Sequence, residues 1–262
     1  MPTFNTDDEH DVAQLMRLKP EPGVMEYIPR VEEYGSPEAI ALGLEPVESV
    51  PDMLLQPGDY QDAVKLAHEQ KSMPVYHAHV WRPPGYRYNQ DGLGYCWTWG
   101  GTGCFMTCRA AENRPLVRLA PVSMGYLVGW ANRGNYLSSF MRGAREQGIC
   151  PAPDDDMNSL NRSGAYWDNV GQREKFRLDK VWDTRANAMT QHCISILCYG
   201  RSLYVAYSWW MHALELVGVQ YNGNTLEWIL SNSHNEADTI KLTGSRAVPS
   251  EAYAFVSTVF ME

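Results

Sequence analysis

A chain of 262 residues, 44% hydrophobic and with 9 Trp and 15 Tyr, holds enough apolar and aromatic material to offset its ordering entropy and bury a full core, which excludes wholesale disorder. Its formal charge of -9, with no cluster of Lys and Arg, excludes a general nucleic-acid binder. The acidic start MPTFNTDDEHDV lacks the basic and apolar regions of a signal peptide, and no apolar run is long enough to span a bilayer. The sequence therefore predicts no membrane contact, and a cytoplasmic protein or a component of a large assembly.

Residues 1–72 are rich in Pro, Glu and Gly and read as an extended arm. Such a segment lies along a partner, lies along the main domain, or remains a partly disordered tail. Short helices are expected at Ser36–Leu44 and Tyr60–Gln70, the second capped by Asp59. Residues 73–262 form the main domain. It opens on MPVYHAHVWRPPGYRYNQ, a proline-interrupted run that predicts extended chain rather than helix. Helices follow from Cys96, over Ser123–Trp130, and over Tyr136–Gln147, the last ended by Gly148. From Ser202 the pattern alternates, predicting strands in SLYVAYSWW, HALELVGVQY, NTLEWILSN, TIKLTGS and AYAFVSTVFME, with Asn222-Gly223-Asn224 as a hairpin turn. Helices first and an antiparallel sheet afterwards predict an α+β fold with a cleft between a helical half and a sheet half.

The six cysteines, in a chain with no visible export signal, read as thiols rather than disulfides. Cys104 and Cys108 share a helix face but no CxxC or CxxH completes a zinc set, so both read as buried and unreactive. Several other patterns also read as ordinary structure. His77 and His79 could bind metal from one strand face, but two histidines are too few. Asp154, Asp156 and Asn158 begin like a calcium loop, yet Ser159 stands where the turn glycine belongs and Ala165 where the closing glutamate belongs. Gly92-Leu93-Gly94 lacks the third glycine of a dinucleotide fingerprint. Trp97, Trp99, Trp209, Trp210 and Trp228 read as core.

The stretch QDGLGYCWTWGG is different. A thiol at a helix start is favoured as thiolate by the backbone N–H groups and the positive dipole end, and Gly94 lets a substrate backbone approach closely. Gly100, Gly101 and Gly103 each weaken that helix by roughly 1 kcal/mol relative to Ala, so close packing must compensate.

These residues resemble the papain-like cysteine peptidases. Gln90 stands six positions before Cys96, the family spacing between oxyanion glutamine and nucleophile, and Cys96-Trp97 matches the family pair. MPVYHAHVWR followed by Asn89-Gln90 is similar to the mature N-terminal stretch. Asn132-Arg133-Gly134-Asn135 and AREQGICP resemble the segment leading into and out of the second helix. His212-Ala213-Leu214 with Val217-Gly218-Val219 resembles the strand bearing the catalytic histidine, and Ile229 to Ser233 the strand ending in Asn-Ser.

The resemblance covers residues 73–262. It implies a two-lobed fold with the active-site helix in the first lobe and an antiparallel β-sheet or barrel in the second. It also implies a Cys96, His212 and Asn232 triad, Gln90 as oxyanion donor, and Gly94, Gly134 and His234 as substrate-binding residues. The implied substrate is a peptide or protein, with no cofactor and no metal. Three positions depart from the family pattern. His234 and Asn235 stand where a tryptophan usually shields the Asn–His bond, Leu93 replaces a disulfide cysteine, and Glu215 replaces a small apolar residue and could raise the pKa of His212 if it faces inward. A Cys96-His212-His234 set is a variant of the same enzyme. A different class of function is a non-catalytic subunit of a larger assembly, such as a viral particle, docking through residues 1–72.

Overall fold

The computed structural model describes residues 1–18, 27–30, 34–50, 52–81, 90, 94–127, 134–152, 174–233 and 239–261. Its strands are β1 (Thr3–Asn5), β2 (Tyr27–Ile28), β3 (Leu44–Pro46), β4 (Asn135–Tyr136), β5 (Lys175–Asp183), β6 (Leu203–Tyr207), β7 (His212–Asn222), β8 (Thr225–Ser231), β9 (Thr239–Thr243) and β10 (Glu251–Met261). The helices are α1 (Glu9–Arg17), α2 (Pro37–Ala41), α3 (Tyr60–Glu69), α4 (Pro74–Trp81), α5 (Cys96–Ala111), α6 (Pro121–Leu127), α7 (Leu137–Glu146) and α8 (Met189–Cys198). The fold is α+β, as the element order predicts.

Eight strands form one sheet in the order β1-β9-β8-β7-β6-β10-β5-β3, and β2 pairs with β4 apart from it. The centre is antiparallel, whereas β1 joins β9 and β3 joins β5 in parallel. Both parallel additions come from the first 72 residues. Phe4, Leu15, Val47, Val64 and Ala67 from the same region are buried against the chain's own core. Segments Thr3–Asn5 and Leu44–Pro46 therefore extend the main sheet, while Tyr27–Ile28 lies against β4.

Strand alternation divides the core into two layers. One face packs Tyr204, Ala206, Ala213, Tyr253 and Phe255 against α5 and α7. The other packs Val205, Tyr207, Leu214 and Leu216 against α3 and α8. The hairpin expected at Asn222-Gly223-Asn224 is present: Asn222 pairs with Thr225, and Gly223 adopts φ 58°, a conformation that costs a Cβ-bearing residue more. Gly148 ends α7 at φ 74°, its N–H donating to the Gly143 carbonyl.

Three expectations are corrected. The run after Met73 is helix α4, not extended chain. Pro74 opens it, where no N–H donor is required, and the next prolines come only after Arg82. Val75, Ala78 and Trp81 recur every third residue and are buried, and the Trp81 Nε1 donates to Thr107 Oγ1 at 2.9 Å. On a helix His77 and His79 point some 200° apart, so they share no face for a metal. Asp59 makes no side-chain capping bond to α3, because a 3-10 turn over Pro57–Asp59 already leads into it. The sequence reading also passes over β5 and α8. In β5 Phe176 and Leu178 are buried and Arg177 and Asp179 exposed, an alternation masked by its charged residues.

Helix α5 is buried from Cys96 to Arg109, and its glycines explain how. A Cβ on Gly100 would sit 3.0 Å from the Leu214 backbone, and one on Gly101 2.5 Å from the Phe140 ring. The contact at Gly100 is against backbone, which cannot swing aside. Gly100→Ala gains about 1 kcal/mol of helix propensity yet is expected to lower stability by a net ~1–3 kcal/mol through overpacking, read by denaturant unfolding. A variant more stable than the parent would contradict the close approach.

Candidate active site

Cys96 is the first residue of α5, a helix of 16 residues, so its thiol sits at the positive end of a long dipole. The first turn is pinned from two sides. The Thr98 N–H and Oγ1 both donate to the Tyr95 carbonyl, at 2.8 and 3.0 Å, and the Tyr204 hydroxyl of β6 donates to the Trp97 carbonyl.

The contact at Gly100 fixes what lies opposite. Gly100 meets Leu214, and three residues further on a Cβ at Gly103 would lie 2.9 Å from the Glu215 carboxylate, so α5 and β7 advance in the same direction. Four residues back along α5 is about 6 Å, and two back along β7 is about 7 Å. Cys96 and His212 are thus at the same end of the contact.

His212 begins β7 directly after Met211, whose φ of 54° is a left-handed conformation that ends the Ser208–Met211 turn. Its Nε2 lies 3.2 Å from Asn232 Oδ1, just past the end of β8. That oxygen can only accept, so Nε2 carries hydrogen and Nδ1 is the nitrogen left for proton transfer. Gln90 is held in the same place. Its N–H donates to the Ser233 carbonyl at 2.8 Å, and its Oε1 accepts from the Ser233 hydroxyl at 2.5 Å, which fixes the amide so that its NH2 edge points away from Ser233. Cys96, His212 and Gln90 are fully buried and Asn232 is 1% exposed, so the site is closed.

Solved structures with this arrangement of elements were found by shape. Procathepsin L2 of the Tenebrio molitor larval midgut is 12% identical, over 95% of this chain and 80% of that one, with a TM-score of 0.57. Procathepsin B S9 of Trypanosoma congolense is 12% identical over 88% and 86%, at 0.56. Procathepsin L 3 of Tenebrio molitor is 13% identical over 85% and 93%, at 0.51.

The chain has a papain-like fold.

No family model matches the sequence, and no curated protein matches it by sequence. At 12–13% identity the papain-like fold is what the likeness carries; chemistry has to be argued from the side chains.

The structure places the other expected residues as follows. Gly94 is buried two residues before Cys96, and Gly134 is buried immediately before β4. His234, and with it the Cys-His-His variant, lies outside the described residues, as do Leu93 and the Asp154–Asn158 loop. Among the described residues no cluster of His, Cys, Asp or Glu could hold a metal ion, and no helix is long and apolar enough to cross a membrane. Glu215 does face inward, but onto α5 at Gly103. It stands three residues from His212, hence on the opposite strand face. Its charge acts on Cys104, whose thiol is pushed well up by burial and then by Glu215.

Two contributors were missed in the sequence. Trp210 packs edge-on against His212, ring centres 4.8 Å apart at 67°, and is fully buried. It covers the imidazole from the chain side preceding the histidine, where the family pattern places its tryptophan after the asparagine. Trp209 stacks on it at 5.7 Å. The Trp210 Nε1 donates to the Leu15 carbonyl of α1 at 3.2 Å, which ties the histidine's cover to the N-terminal region. Ser233, which locks Gln90, was legible only as half of Asn-Ser.

The thiols divide by environment. Burial pushes Cys108 up to about 12 and Cys198 up to about 11, and raises Cys193 further still. In protein whose closed site has been opened by limited proteolysis, a small alkylating reagent at neutral pH is expected to modify Cys96 at least about tenfold faster than these, since rate then follows thiolate fraction. Peptide mapping of the adducts reads this directly, and equal labelling of Cys96 and Cys108 would remove Cys96 from candidacy.

Proposed function

We propose that the chain is a cysteine peptidase or amidase that hydrolyses peptide bonds through Cys96, His212 and Asn232. The observation that carries this reading is the Nε2 to Oδ1 bond between His212 and Asn232, made at the end of β7 that lies level with the start of α5.

The Cys96 thiolate, favoured by the helix dipole and by an adjacent imidazolium, attacks the substrate carbonyl carbon. The carbonyl oxygen becomes an oxyanion, for which the Cys96 N–H and the Gln90 side-chain NH2 are the donors. His212 gives the proton on Nδ1 to the departing amine, leaving a thioester on Cys96. Water then attacks the thioester as His212 takes its proton, and the acid product leaves with the thiol restored. Asn232 holds the ring in the one orientation and tautomer that presents Nδ1. Trp210 and Ser233 are positioning residues, the first for His212 and the second for Gln90.

The alternative of a non-catalytic assembly subunit has weaker support. Segments β1 and β3 from residues 1–72 already extend the chain's own sheet, so these described parts of the region are engaged within the chain. A closed site also fits a hydrolase whose cleft opens only after a covering segment moves.

The test is hydrolysis of a peptide amide by the opened protein. Cys96→Ser is expected to abolish turnover, and His212→Ala to lower kcat by about 10²–10⁴. Gln90→Ala should lower kcat by about 10²–10³ with little change in KM. Activity that survives Cys96→Ser would sink the proposal.

A further inference from the structure

The far end of α5 frames a cavity that the peptidase reading does not use. Met106, Arg109 and Ala110 share one helix face and form a wall of it, and His77 and Val80, three residues apart on α4, form another. The cavity measures about 310 Å³, at the small end of the ~300–1,000 Å³ usual for small-molecule sites. Arg109 lies about 20 Å along α5 from Cys96 at 1.5 Å per residue. The cavity is therefore a separate place from the candidate active site.

Its third wall follows from how α5 ends. Asn113 takes a left-handed φ of 54°, which its short amide side chain tolerates. The Asn113 N–H donates to the Ala110 carbonyl and the Arg114 N–H to the Arg109 carbonyl, each at 3.0 Å. This pair of bonds closes the helix and turns the chain back, so that Arg114, Leu116 and Val117 line the cavity. Such a closure commonly sets an apolar side chain against the residue whose carbonyl it caps. Here both positions are arginine. Two cations meet at one cavity, and none of the described residues lining it is acidic.

Arg109 is 8% exposed. Its guanidinium lies over the Phe176 ring of β5, 4.1 Å from the ring centre. Nη2 donates to the Pro115 carbonyl at a long 3.3 Å, and Nε is buried with no hydrogen-bond partner among the described residues. The acid that acts on it through space, Glu112, accepts instead from the Thr258 hydroxyl at 3.0 Å. Burial pulls the Arg109 pKa down, Glu112 offsets only part of that, and Arg114 adds to it. An anion brought into the cavity relieves both the missing bond and the like-charge contact. The remaining lining sets what that anion carries. Val80 and Leu116 are exposed large apolar side chains, and Met106 lies buried behind them. An apolar body covers these side chains, whereas the outer oxygens of a phosphate would be left facing them.

We propose that this cavity binds a small monocarboxylate with an apolar body, its carboxylate on Arg109 and Arg114 and its body over Val80, Met106 and Leu116. The inference concerns binding alone and does not depend on the activity of Cys96.

The full chain is titrated by calorimetry with phenylbutyrate and with phenylbutyramide, which share a shape and differ in charge. The acid is expected to bind at least about tenfold more tightly, because the amide replaces a charge-assisted bond with a neutral one. Acetate, which has the charge without the body, is expected to bind at least about tenfold more weakly than phenylbutyrate. Arg109→Met should bring the acid-to-amide ratio towards one. Since Arg109 also stacks on Phe176, Leu116→Asp at the exposed rim is the second variant. It should weaken phenylbutyrate at least about tenfold through like-charge repulsion and leave the unfolding midpoint unchanged. Absence of phenylbutyrate binding, equal affinity for acid and amide, acetate bound as tightly as phenylbutyrate, or an acid preference that survives either substitution in a folded variant would overturn the proposal.

Discussion

The close approach of α5 to β7 at Gly100 is the constraint on which the rest depends. With no side chain between them, helix and strand backbone meet, and both elements run onward from the same end. A helix N-terminus and a strand start are thereby brought level. The positive end of α5 and the start of β7, which carries His212, thus lie at the same end of the contact. The cost is a helix containing three glycines, and it is met by burial: Phe140 covers Gly101, and every residue from Cys96 to Arg109 is inside.

The N-terminal region is bound into this arrangement at several points. It adds a short parallel strand at each edge of the sheet, which shortens the edge open to another chain. It also reaches the cover of the candidate histidine and, separately, a buried acid pair. Leu15 accepts the bond from Trp210, which covers His212, and Arg30 fills the acid pair across the sheet. Movement of this region would therefore change the cover of the imidazole. Arg30 stays charged above its ordinary range. Burial alone would lower it, and the bonds and charges of Asp183, Tyr253 and Glu251 outweigh that effect.

Much of this was legible in the sequence, for physical reasons that differ by element. Period-two alternation marked β6 to β10, and Asn-Gly marked the hairpin, because those signals are local. The start of α5 was legible because Gly94, Cys96 and the spacing to Gln90 are a short-range pattern. Helix α4 was misread because prolines were counted as breakers, although Pro74 occupies the one helical position where proline costs nothing. Strand β5 was missed because Lys, Arg and Asp on its outer face hide the inward Phe176 and Leu178. The replacement cover for His212 was invisible for another reason. Trp210 belongs to the turn before the histidine, and only the left-handed Met211 and the register of β6 with β7 bring its ring to the imidazole. Arg30 was hidden for the same kind of reason: its partners Asp183 and Glu251 lie 153 and 221 residues away.

The central claim is that Cys96 is ionised by its place at the head of α5 beside His212. The direct test is the ultraviolet thiolate absorbance of the native protein followed against pH, with Cys96→Ser and His212→Ala as references. The account predicts a thiolate step below about pH 7.5 that disappears in Cys96→Ser and moves upward in His212→Ala. Thiolate absorbance that first rises near the ordinary thiol pKa of about 8.5, unchanged by either substitution, would contradict it.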